Sequence, residues 1–138
     1  MTPRIIHSLH IAPAALTLNA LHTPDGRISW QGQPPAWQKV PIAPGATLTT
    51  ETTLTAHGTR HTHTLQATTC TRRLDPTLTA AAALLLTLAD GTCVVMGCHR
   101  RPWPFIRISP LHPATPQEQA AFSLTATLTT DTPLPITV

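Results

Sequence analysis

The residues best suited to chemistry are eight histidines and three cysteines. His61-Thr62-His63 would set two imidazoles on one face of a strand, because side chains alternate between faces along an extended chain. Cys93, Cys98 and His99 lie close together, with Cys70 upstream. Zinc sites favour tight spacings such as Cys-x₂-Cys or His-x₃-His. Two cysteines separated by four residues, the second followed directly by a histidine, fit none of these. Cys98 and His99, being adjacent, would also point to opposite faces of a strand. The pattern therefore predicts no metal centre, with small buried cysteines and exposed strand histidines instead.

Covalent catalysis needs a nucleophile, a base and an orienting acid. Cys70 or Cys98 with a histidine would supply the first two, but neither sits in a nucleophile elbow or a cysteine-protease context. Only six acidic residues occur. Asp90 suits a turn and Asp75 a helix cap, which leaves no evident carboxylate pair for glycoside hydrolysis. No glycine-rich phosphate loop occurs. The expectation is a protein that is not an enzyme and holds no cofactor. Trp30, Trp37 and Trp103 offer a different chemistry, stacking on a sugar or other ligand from the surface of a small β-sandwich module. Their simpler use is to plug gaps in a core or an interface.

The 138 residues make one domain, 1–138, long enough to bury a core without staples. Hydrophobic residues make up 41%. Charged residues make up 11%, against about 25% in an ordinary domain. Threonine, present 26 times, takes their place. It is β-branched and favours the solvent face of strands, or a face that meets a neighbouring subunit. The net charge of +3 reflects scarce acids. With Lys39 the only lysine, and Arg72-Arg73 and Arg100-Arg101 the only arginine pairs, no nucleic-acid groove is expected. The apolar run Ala80–Ala89 is too short to cross a bilayer, and His7, His10 and Pro13 interrupt any secretory leader. A protein made in the cytoplasm, without a membrane partner, is expected.

Fifteen prolines cut the chain into short segments, which suits strands. Arg4–Ile11 alternates, placing Ile5, His7, Leu9 and Ile11 on one face. Thr47–Ala56 and Arg60–Arg72 read as a long hairpin turning near His57-Gly58-Thr59. Phe122–Thr130 alternates cleanly, with Phe122, Leu124, Ala126 and Leu128 inward. Asp75-Pro76 is a helix start, so one short helix is expected over residues 76–83. After it, the apolar runs Leu84–Ala89 and Thr92–Met96 are joined by Asp90-Gly91, the signature of a type I′ hairpin. Gly97 and Pro102-Trp103-Pro104 follow. The predicted class is mainly β, an antiparallel β-sandwich or β-barrel with that one helix.

From Leu84 onward the order is apolar strand, Asp90-Gly91, apolar strand ending at Gly97, a basic stretch, Pro102-Trp103-Pro104, a strand, an irregular connection, a long alternating strand, and Pro133-Leu134-Pro135. Upstream stand Trp37-Gln38-Lys39-Val40-Pro41-Ile42 and the threonine-rich hairpin. This order resembles small uncharacterised phage and prophage proteins of Bacteroidetes-type bacteria, which are similar to tail or head–tail-junction components. It departs from their pattern at Cys93, where an aromatic residue would follow Asp-Gly, and in having no tyrosine. The resemblance covers about half the chain and brings no catalytic residues. It implies a structural virion role, with other tail proteins and copies of the chain itself as partners. Arg100, Arg101 and Trp103 are then the expected contact corner, and Asp90, Gly91 and Gly97 the turns that shape it.

Overall fold

A computed structural model describes residues 3–13, 20–22, 26–32, 37–69, 82–97, 103–111, 121–131 and 134–137. They form eleven strands: β1 (Arg4–Pro13), β2 (Ala20–His22), β3 (Arg27–Trp30), β4 (Gln38–Val40), β5 (Thr47–Thr55), β6 (Gly58–Thr69), β7 (Ala82–Leu88), β8 (Cys93–Met96), β9 (Phe105–Leu111), β10 (Ala121–Thr130) and β11 (Ile136–Thr137). The path runs β2-β3-β11-β8-β7-β1-β5-β6-β10-β9, with β4 also on β1. Every pairing is antiparallel except β3 with β11. The protein is mainly β, as its threonine and proline usage predicts.

The expected helix is not seen. Ala82 and Ala83 belong to β7, paired with Pro13 and Ala12, and both are fully buried. Alanine favours helix only weakly against tertiary context. Here two neighbours on one strand face opposite ways and both are covered, which suits small side chains. Residues 76–81 of the expected helix lie outside the described residues.

β1 joins two runs of strands. One edge pairs with β7 from Ile6 to Pro13. The other pairs with β5 at Arg4 and Ile5, then with β4 from Leu9 to Ile11. The β7 register slips between Ile6 and Ser8, leaving His7 as the extra residue of a bulge. A one-residue slip exchanges the faces of everything on one side of it. Leu9 and Ile11 are therefore buried as the alternation predicts, but Ile6 takes the core position expected for Ile5. Ile6 is 3% exposed and Ile5 51%. Ile6→Val is expected to cost about 1 kcal/mol, and Ile5→Val close to nothing. Urea denaturation of both variants reads the difference, and equal losses would mean the slip lies elsewhere.

One buried cluster draws on both runs. Leu9, Leu84, Leu86 and Met96 meet Leu48, Leu65, Leu124 and Leu128 in it. β10 delivers Leu124, Ala126 and Leu128 from alternate positions, as the alternation requires. Among the described residues there is no helix, so none crosses a membrane.

Candidate functional site

The β5–β6 hairpin carries the most unusual local chemistry. On its core-side face, β5 presents Leu48, Thr50, Thr52 and Leu54, opposite Leu65, His63, His61 and Thr59 of β6. The face changes character along its length. Leu48 and Leu65 are buried apolar residues, His63 is buried at 1% exposure, His61 is half-buried, and Leu54 is 82% exposed. The hairpin thus leaves the core and continues as a projecting arm. At its tip Gly58 takes φ +123°. The Thr55 hydroxyl donates to the Gly58 carbonyl (2.7 Å) and accepts from the His57 amide (3.3 Å).

His63 ties three strands together. Its Nδ1 lies 3.0 Å from Thr50 Oγ1 on β5, and its Nε2 lies 3.1 Å from Thr130 Oγ1 on β10. A neutral imidazole donates from one nitrogen and accepts at the other, and a hydroxyl does either, so both bonds can be satisfied together. His61 Nδ1 lies 3.1 Å from its register partner Thr52 Oγ1, and the two rings stack at 6.2 Å and 16°. The expectation of two imidazoles on one face is met, but that of exposed histidines fails for His63. The signal was its in-phase spacing with Leu65 and Ala67. Both of its nitrogens are engaged by hydroxyls, so a metal could bind this ring only by breaking one of these bonds.

The other reactive candidates are dispersed. Cys93 Sγ lies 3.5 Å from Thr87 Oγ1 and 3.9 Å from the Gly91 carbonyl, a turn environment rather than a nucleophile's. The carboxylates of the described residues, Glu51, Asp90 and Asp131, are all exposed. No group of three or more histidine, cysteine or acidic side chains gathers among the described residues. Cys70, Cys98, His99, Arg100 and Arg101 lie outside the described residues.

The Asp90-Gly91 turn departs from type I′, because only Gly91 has a positive φ (+91°). The loop is Ala89-Asp90-Gly91. The Gly91 amide donates to the Leu88 carbonyl (3.0 Å), and the Leu88 amide to the Thr92 carbonyl (2.8 Å). This is a three-residue hairpin with glycine in the left-handed bulge position. The Thr92 amide donates to the Asp90 carboxylate at 2.9 Å and holds its pKa below the ordinary aspartate value. The Ala89 amide donates to the Ile5 carbonyl (3.0 Å), tying the tip to β1.

The Pro-Trp-Pro corner turns inward at its end. Pro104 is buried, and a Cβ on Gly97 would lie 2.6 Å from its Cδ. Trp103 is half-buried. Trp30 and Trp37, also half-buried, meet edge to face at 6.1 Å and 65°. Among the described residues, β9 and the outer part of β5 present open strand edges. β9 ends the strand path with Phe105 68% exposed, and β5 beyond Leu48 has β6 on one side only among the described residues.

These features define an antiparallel β protein whose notable surfaces are an arm and two strand edges. No protein-family model matches the chain, and no curated protein or solved structure does.

Proposed function

We propose that this chain is a non-enzymatic structural protein acting through protein–protein contacts, as a tail or head–tail-junction component of a phage or prophage particle. The observation that carries the assembly reading is the β5–β6 arm, where a regular ladder continues past the core, bearing threonine and an 82% exposed Leu54. An isolated two-stranded hairpin is marginal in water, so an arm of this kind gains from a neighbour that covers it. Uncharged threonine faces avoid repulsion between identical copies. The phage assignment rests on the resemblance of the order of elements from Leu84 onward, with Trp37–Ile42 and the threonine-rich hairpin upstream.

In the same reading the two runs of strands fold over each other as a sandwich, or curl toward a barrel. The common core cluster supports this. So does the indole pair. β4 and β3 are five strand steps apart along the path, about 24 Å in a flat sheet, yet Trp30 and Trp37 touch. The edge-to-face packing of these indoles turns one ring against the other, which favours a structural use over a ligand platform.

The test is particle composition. Particles purified from a culture producing the phage should contain the chain at a fixed copy number by quantitative mass spectrometry. Finding it only outside particles would end the assignment.

A further inference from the structure

We infer that copies of this chain join by strand pairing, with β9 of one copy adding to the outer edge of the β5 arm of the next. This rests on the assembly reading above and names its partner and its edge. Among the described residues, β5 meets β1 only at Thr47 and Leu48, so the edge of Thr49–Thr55 away from β6 is open. Among the described residues, β9 pairs with β10 alone. Such open rows of N–H and C=O groups are templates for another strand.

Charge and register select the partner. β5 carries one charged residue, Glu51, and β9 carries one, Arg107; both are exposed. Both lie on the face away from the core, since Leu48 on β5 and Ile106 on β9 are buried. An antiparallel pairing that sets Glu51 opposite Arg107 brings Thr49 opposite Ser109 and Thr53 opposite Phe105 on that face. On the core side it sets Thr50 opposite Ile108 and Thr52 opposite Ile106. The core-side surface of one copy then runs on into the next, and Phe105 gains cover. A slip by one residue would turn Arg107 to the core side. Symmetric alternatives centred on these residues, β5 on β5 or β9 on β9, would set Glu51 against Glu51 or Arg107 against Arg107, and like charges across a strand pair are destabilising. The contact therefore joins two different surfaces. Because each copy carries both, it repeats, closing into a ring or continuing as a filament.

Sedimentation velocity over a concentration series tests this on the full chain, with Glu51→Arg, Arg107→Glu and the double exchange. Each single reversal replaces an attraction by a repulsion and should weaken association about tenfold. The double exchange should restore it. Circular dichroism matching the parent chain shows that each exposed substitution leaves the fold intact. Single reversals that change nothing, a double exchange as weak as the singles, or a parent chain that never associates would each overturn the pairing. Such a result, with the chain still present in purified particles, would remove this interface and leave the assembly reading standing. Absence from particles would remove that reading itself.

Discussion

Gly97→Ala should lower the unfolding free energy by about 3 kcal/mol or more, and Gly91→Ala by only about 1–2 kcal/mol. The two glycines have nearly the same positive φ, +94° and +91°. Left-handed backbone costs a residue with a Cβ about 1–2 kcal/mol, and both variants bear that. They differ in surroundings. A Cβ at Gly91 meets nothing within 4 Å. At Gly97 it would lie 2.6 Å from Pro104 Cδ, 3.0 Å from Pro104 Cγ and 3.1 Å from the Ala82 carbonyl oxygen. None of these can swing aside. Pro104 is a buried ring, and Ala82 is a fully buried residue of β7. Overpacking of this kind costs about 1–3 kcal/mol on top of the backbone strain. Against a total stability of about 5–15 kcal/mol, Gly97→Ala should move the thermal midpoint by roughly 10 °C. Urea denaturation of both variants, with the slope unchanged, is the measurement. Equal losses would show that Pro104 does not seat on Gly97 and that only the backbone matters.

The same pair of glycines shows how far the sequence was legible. Periodicity identified β10, which has one buried face and one polar face, and the threonine-rich runs about His57-Gly58-Thr59 identified the β5–β6 hairpin. It misjudged the Asp90-Gly91 turn for a physical reason. A two-residue loop over Asp90-Gly91 would set Leu88 opposite Cys93 and leave Leu86 and Val94 on different faces. The observed register sets Leu84 opposite Met96 and Leu86 opposite Val94, all buried, and this requires an odd loop. β8 is apolar on both faces, with Val94, Val95 and Met96 all buried, so it shows no alternation from which to read the phase. β1 failed in a related way. Ile5 and Ile6 are adjacent and identical, and only the bulge at His7, set by pairing with β7, decides which one enters the core. The helix expected over residues 76–83 rested on the Asp75-Pro76 start signal and on the alanines after it, and burial on both faces of β7 overrode the alanine preference at Ala82 and Ala83. Of the expected contact corner, only Trp103 falls within the described residues. The open edges of β5 and β9 follow from strand order, which no local pattern encodes.

His63→Ala should cost about 3–4 kcal/mol, and His61→Ala less than about 1 kcal/mol, although the two rings stack on one strand face. His63 is 1% exposed, so truncating it opens a cavity between β5 and β10 of the kind that costs about 2–5 kcal/mol for large apolar side chains. Truncation also removes the ring nitrogens that half-buried Thr50 and Thr130 bond, and each such hydrogen bond contributes about 0.5–1.5 kcal/mol net. The two terms overlap, because a cavity lined by hydroxyls can admit water, so the total falls short of their sum. His61 is half-buried, and solvent can replace its bond to Thr52. His63→Leu separates the terms, since it fills most of the volume and restores neither hydrogen bond; an intermediate loss of about 1–2 kcal/mol is expected. Chemical denaturation gives the three values. Amide hydrogen exchange adds where the loss falls. The strands His63 joins are the root of the arm, so protection in Thr49–Thr55 should drop before that of the β1–β7 pairing. A uniform loss across both would mean that His63 is ordinary core filling and that the arm does not depend on the polar bridge at its root.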